Sequence, residues 1–448
     1  MPKILKCLDH EEVVIDFEEW LGRYPRIYQL MMRKAIDCDH ITFLGELETE
    51  YEAFTKVELQ FTSVPHDDKD TELNDTKERS ISGPNNEKKV YGNPAINKFE
   101  EMASKYLPHY CGRANWIEIC DSLKKMEDEL GVSIWGASDG SGFDMTQLPC
   151  FNKLLNELLI QMAKHPNVTW REPLSIDRFI EAITKSLELN ISVEHGGLKY
   201  QCDGRASGDG WTTFGNTILM IAYWEYTFYL ANIPKYGLKV KGDDVLFCVN
   251  QSEQAALLEA VKINFTTTKH EQEYGLGQIC KKIDFGDLTQ LDFLSNEFFR
   301  TNTGAYRMTR IPARVLQSNS WSTKLPRISD QKALLSARQE LCYSKGMCLK
   351  SWADNLPIWG VLADKMIELG KPGKLTEYNE YADKDRVWHK GRDDTNEYLL
   401  HLEDKYGLTL VEVLSAEKLI RAVKGLDGLI EIPAFEKFYK PFIMSSLL

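Results

Sequence analysis

Two neighbouring carboxylates, Asp243 and Asp244, follow Gly242 between the apolar stretches 238–240 and 245–249. Alternation that stops at Gly-Asp-Asp and then resumes predicts strand, tight turn, strand, with both acids at the tip of a hairpin. Like charges held side by side repel. Sharing a cation removes that cost, and carboxylate oxygens suit Mg²⁺. Gly-Asp-Asp is also ordinary turn composition, so the pair gains meaning only from its company. Residues 132–137 read as a strand delivering Asp139 at its end, and Asp144 follows five residues on, past a turn, where it can face another part of the same substrate. Between these acids and the hairpin, the Gly-rich stretch 204–210 runs into a helix whose first turns carry Thr212 and Asn216, four apart and on one face. Hydroxyl and amide groups so arranged can read a sugar; Ser207 or Thr212 could equally serve as a helix cap.

The same residues admit other chemistry. Gly136-Ala137-Ser138-Asp139-Gly140 satisfies G-x-S-x-G, the nucleophile elbow of serine hydrolases, which would make Ser138 a nucleophile. None of His165, His195 or His270 lies in a recognisable setting for the third member of such a triad, and the Gly-Asp-Asp hairpin is left without a role. A zinc site built from His109, Cys111 and Cys120 lacks finger-type ligand spacing.

The elements that must position these groups can be read from composition and periodicity. A chain of 448 residues, 43% hydrophobic and 27% charged, has globular composition and room for two or three domains. Its net charge of −13 argues against a protein that merely coats nucleic acid, while leaving room for a basic channel within an acidic exterior. Ten cysteines without C-x-x-C pairs fit reduced thiols in a cytosolic setting. No secretory signal is expected, because Asp9, Glu11, Glu12 and Glu18 interrupt residues 1–38. The apolar run 214–233 contains Asn216 and Glu225 and falls between two of the motifs, which predicts a buried core helix rather than a membrane span. Residues 14–36 predict one amphipathic helix. Residues 66–76, with five acids, predict an exposed loop. Residues 76–105, basic among Gly83-Pro84-Asn85-Asn86, predict a loop facing either nucleic acid or solvent. Residues 115–130 predict a helix capped by Gly131. Beyond 296, Arg300, Arg307, Arg310 and Arg314 fit a strand pair touching a nucleic-acid backbone, or else a solvated basic face. Residues 332–448 read as helices with loops near 370–373 and 384–394.

In order and spacing, Asp139…Asp144, then Ser207-Gly208-x3-Thr212-x3-Asn216, then Gly242-Asp243-Asp244 resemble palm motifs A, B and C of viral RNA-dependent RNA polymerases. The likeness is nearest to positive-strand RNA virus enzymes of the tombusvirus- and nodavirus-like group. Upstream, Lys56-Val57-Glu58 and Arg79-Ser80-Ile81 are similar to two halves of the basic finger motif F, split by the acidic insert. Downstream, Lys281 or Lys282 stands where motif D carries its lysine, and Phe293-Leu294-Ser295 resembles the motif E primer grip. The resemblance covers about 54–299. Gly142 precedes Phe143-Asp144 where many tombusvirus-like enzymes carry a basic residue, and the motif B loop here has Asp209-Gly210-Trp211.

That resemblance implies an α+β right-hand polymerase fold. Fingers would span 1–131 and 151–200, a palm with an antiparallel sheet 132–150 and 201–300, and a mostly helical thumb 301–448. It implies template-directed nucleotidyl transfer with two Mg²⁺ ions, for which Mn²⁺ can substitute, roughly 3.5–4 Å apart. Asp139 and Asp243 would bridge them, with Asp244 supporting. Asp144 would accept a hydrogen bond from the ribose 2′-hydroxyl, helped by Ser207, Thr212 and Asn216, with Gly208 also among the substrate-binding residues. Lys56 and Arg79 would neutralise the triphosphate, and Lys281 would protonate pyrophosphate. The implied partners are RNA template, product strand and ribonucleoside triphosphates. With them goes a viral or host membrane-anchoring factor, at membrane-associated replication complexes in the host cytoplasm. Reverse transcriptases usually carry an aromatic and another residue ahead of the paired Asp and lack the S-G-x3-T-x3-N loop. A catalytically inactive RNA-binding relative would not be expected to keep all the carboxylates.

Overall fold

Five consecutive apolar residues, Val245 to Val249, are buried, so the strand Asp244–Asn250 is covered on both faces. The computed structural model describes residues 2–42, 50–55, 80–131, 133–140, 143, 147–185, 189–193, 199–202, 206–266, 276, 278–320, 330–373, 394–426 and 431–439. These fall into two units: residues up to 113 with those of 130–285, and those of 114–129 with those from 286 onward.

In the first unit, Asp244–Asn250 lies inside a five-stranded sheet of order Phe265–Thr266, Gln278–Gly286, Ser133–Gly140, Asp244–Asn250, Gly237–Lys241. The pairings of Asp244–Asn250 with both of its neighbours are antiparallel. The helix Thr212–Leu230 packs on this sheet through an aromatic stack. Trp224 lies on Phe247 with centroids 4.7 Å apart, and Phe247 crosses its ladder partner Gly136, where a β-carbon would come within 2.2 Å of the ring. Such aromatic pairs each contribute about 0.5–1.5 kcal/mol beyond burial. This helix is the expected core helix, and no helix among the described residues is long and apolar enough to cross a membrane. On the far side of Gly237–Lys241, the Val240 N–H donates to the His109 carbonyl and the Cys111 N–H to the Val240 carbonyl, each at 2.9 Å. The buried Lys239 ammonium donates to the Pro108 carbonyl at 2.6 Å. Two smaller sheets complete the unit: parallel Val13–Ile15 with Val168–Trp170, and Ser80–Pro84, Glu50–Thr55, Leu189–Val193, Lys199–Cys202 in that order.

Two expectations for this unit are corrected. Residues 14–36 are not one helix: Val13–Ile15 is a strand, and the helices Phe17–Leu21 and Arg26–Thr42 are separated at Pro25, whose ring disfavours helix in the residue before it. Residues 76–105 are not mainly loop. Asn85 caps a helix Asn86–Tyr106 by accepting from the Lys88 N–H, and Val90, Ala95, Ile96, Phe99 and Ala103 bury one face of it. Gly92 and Pro94 inside that helix disguised its period. The expected loops at 66–76 and 384–393 lie outside the described residues.

The second unit contains the antiparallel sheet Asp292–Phe293, Asn296–Arg300, Tyr306–Arg310 and the helices Trp116–Leu130, Gln331–Ala353, Trp359–Leu369, Thr395–Tyr406 and Leu410–Ala422. Gly131 ends the first of these with φ +72, as its sequence position predicted. The basic strand pair exists, but its arginines are internally paired rather than all presented to a nucleic-acid backbone. Arg300 is bidentate to Glu127, which also accepts from the Tyr306 hydroxyl at 2.7 Å. Burial alone would raise the Glu127 carboxyl; these hydrogen bonds outweigh it and bring the pKa down to about 2. Arg307 is 2% exposed and donates to Asp394 at 2.8 Å and to the Trp352 carbonyl at 3.2 Å. Asp394→Ala is expected to destabilise this unit by about 3–5 kcal/mol in urea titrations, because it strands a buried guanidinium. An Arg307→Met/Asp394→Leu double variant should recover most of that loss, and a double variant as unstable as the single would refute the account.

Candidate active site

Lys241 pairs with Asp244 across the hairpin, so Gly242 and Asp243 are its two turn residues. Gly242 has φ +64 and Asp243 does not share the positive φ, as a turn of type II′ requires of its first and second positions. A two-residue turn fixes register, and both acids stay partly exposed.

The neighbouring strand brings the first acidic motif to this turn. In the ladder of Ser133–Gly140 with Asp244–Asn250, Ser138 pairs with Val245, and one further step sets position 139 opposite Asp244. At the next position, a methyl built on Gly140 would stand 3.3 Å from Asp243 Cβ and 3.8 Å from its Oδ2. The backbone of 139–140 therefore meets the Asp243-Asp244 turn. The side chain of Asp139 and all of Asp144 lie outside the described residues.

A hydroxyl that the sequence reading did not single out ties the helix to the turn. Thr217 is fully buried; its Oγ1 accepts from the Gly242 N–H at 2.8 Å and donates to the Thr213 carbonyl at 2.6 Å. The only sequence signal was a Thr directly after Asn216 in an apolar helix. Thr212 and Asn216 are both buried on that helix. Trp211, not Ser207 or Thr212, occupies the N-cap position, and the Thr212 hydroxyl instead closes the preceding loop by donating to the Ala206 carbonyl at 2.6 Å. Ser207 at the loop is exposed and Gly208 half-buried. The Asn93 carboxamide lies against Gly210, where a β-carbon would fall 1.8 Å from Asn93 Oδ1. Gln147, a second residue missed in the sequence, is buried and donates through Nε2 to Asn216 Oδ1 at 2.6 Å.

Lys281 and Lys282 fall in the strand Gln278–Gly286, next to Ser133–Gly140, with side chains outside the described residues. Lys56 and Arg79 also lie outside them. Their neighbours Thr55 and Ser80 are cross-strand partners. In the second unit, Leu294 and Ser295 form a two-residue turn with φ 56 and 59, between the partners Phe293 and Asn296. A left-handed leucine costs about 1–2 kcal/mol, and Asn296 Nδ2 holds this one by donating to its carbonyl at 2.8 Å.

The serine-hydrolase alternative is overturned. Ser138 is 9% exposed and sits within an antiparallel ladder opposite Val245, whereas a nucleophile elbow presents its serine on a sharp, exposed turn. Among the described residues no three His, Cys, Asp or Glu side chains group as metal ligands, which removes the His109, Cys111, Cys120 zinc site. His109 Nδ1 instead lies 3.1 Å from the Leu238 carbonyl, and burial pushes its pKa down. Thr217→Val is expected to cost about 1–3 kcal/mol by leaving the Gly242 N–H unsatisfied, with Thr217→Ser close to wild type in thermal melts. Equal melting of Val and Ser variants would show that the hydroxyl does not hold the turn.

No curated protein matches the chain. A family model, viral RNA-dependent RNA polymerase, matches residues 34–347, more than two-thirds of the sequence and a span containing all of the motifs above. The chain belongs to the viral RNA-dependent RNA polymerase family, and is an RNA-directed RNA polymerase, a nucleotidyltransferase.

Proposed function

We propose that this polymerase replicates and transcribes the genome of a positive-strand RNA virus of the tombusvirus- and nodavirus-like group, by two-metal transfer of ribonucleoside triphosphates onto a growing RNA. The observation that carries the reading is the ladder that sets position 139 opposite Asp244, with Gly140 against Asp243. All-oxygen donors on a partly exposed hairpin fit hard divalent cations. Asp139, Asp243 and Asp244 would hold two Mg²⁺ ions, with Mn²⁺ able to replace them. When bound, such a pair activates the 3′-hydroxyl and stabilises leaving pyrophosphate.

The chain's own residues do the rest. Asp144, helped by Ser207, Thr212 and Asn216, reads the ribose, whose 2′-hydroxyl separates RNA from DNA precursors, and Gly208 joins them in binding the nucleotide. Lys56 and Arg79, which flank the paired residues Thr55 and Ser80 in the chain, neutralise the triphosphate. Lys281 gives a proton to pyrophosphate. In this reading, fingers comprise 1–131 and 151–200, palm 132–150 and 201–300, and thumb 301–448. The enzyme works on RNA template and product at membrane-associated complexes in the host cytoplasm, held there by a separate viral or host anchoring factor. Asp243→Ala should abolish incorporation of labelled ribonucleotides on an RNA template with Mg²⁺ and with Mn²⁺, while the melting temperature stays within a few degrees. Metal-dependent synthesis by that variant would overturn the assignment.

A further inference from the structure

We infer that Gln147 is a positioning residue for sugar selection, acting through Asn216; the inference rests on the reading of Asn216 as a ribose contact. A carboxamide has an acceptor end and a donor end of nearly equal shape, and nothing in its own covalent structure decides which faces a substrate. Here a neighbour decides. Gln147 Nε2 donates to Asn216 Oδ1 at 2.6 Å, and the two side chains are 4% and 6% exposed. With Gln147 as it stands, reversing Asn216 alone would set its N–H₂ against the N–H₂ of Gln147, two donors with no acceptor between them, which buried groups avoid. The oxygen of Asn216 is thereby held toward Gln147. A donating amide can hydrogen-bond a sugar hydroxyl oxygen, and a nucleotide without that oxygen leaves the donor unmatched.

The backbone gives this arrangement a fixed base. Asn216 precedes Thr217, whose hydroxyl accepts from the Gly242 N–H at the acidic turn, so the amide paired with Gln147 is anchored one residue from the contact that holds Gly242. Gln147 stands three residues after Asp144 and just before the helix Pro149–Ala163, which ties its backbone to a packed element rather than to a free loop.

The test is the ratio of kcat/KM for a ribonucleotide to that for the matching 2′-deoxynucleotide, measured on one RNA template with Mg²⁺. Gln147→Leu removes the donor. Gln147→Glu keeps the volume and replaces the donor with an acceptor, which draws the Asn216 N–H₂ toward it and turns the oxygen to the substrate side. Both variants are expected to lower the ratio about tenfold, the loss of one hydrogen bond's discrimination. A purely structural role would lower both rates together and leave the ratio unmoved; that result, in whichever variant folds, overturns the inference. Asn216→Ala separates the two layers. If it leaves the ratio unchanged, the ribose reading of Asn216 fails; if it lowers the ratio while both Gln147 variants do not, only the positioning role fails.

Discussion

Adjacent carboxylates repel, and the molecule must hold Asp243 and Asp244 together while leaving them open to solvent. It does so by backbone geometry. Gly242 supplies the left-handed residue that a two-residue turn needs, the pairing of Lys241 with Asp244 closes it, and the Thr217 hydroxyl takes up the Gly242 N–H. A one-residue slip in this ladder would move each acid to the opposite face of the sheet, so the register carries the whole arrangement.

That register is in turn set by packing. Gly136 has no side chain, Phe247 fills the space over it, and Trp224 lies on Phe247, with Phe285 meeting the same ring edge-on at 5.6 Å. The stack binds the helix bearing Asn216 and Thr217 to the strands bearing positions 139 and 244. The acidic turn and the helix beside it are thus mounted on regular elements whose mutual position is fixed by buried aromatic contact, the arrangement that functional constellations need.

The acidic hairpin, the strand before Asp139 and the helix after the Gly-rich loop were legible because each is a local pattern: alternation, turn residues, helical spacing. What was illegible depended on distant partners. Thr217 acts on a residue 25 positions away and Gln147 on one 69 away, and neither residue type in its own neighbourhood announces that. Arg307 looked available for a nucleic-acid backbone because Asp394, its partner, is 87 residues further on. The helix Asn86–Tyr106 was obscured by Gly92 and Pro94, local breakers that tertiary burial overrides.

The segment that bonds to Val240 has a bearing on how the protein behaves at high concentration. An outermost strand with open N–H and C=O groups invites strands of other copies, the first step of edge-to-edge aggregation. At one rim of the five-stranded sheet, His109 and Cys111 occupy the groups of Val240, the Lys239 ammonium is engaged by the Pro108 carbonyl, and the partly exposed Lys241 adds charge at the strand end. The rim at Gly237–Lys241 is thus partly paired already, which leaves less of its backbone for a strand of another copy to add to.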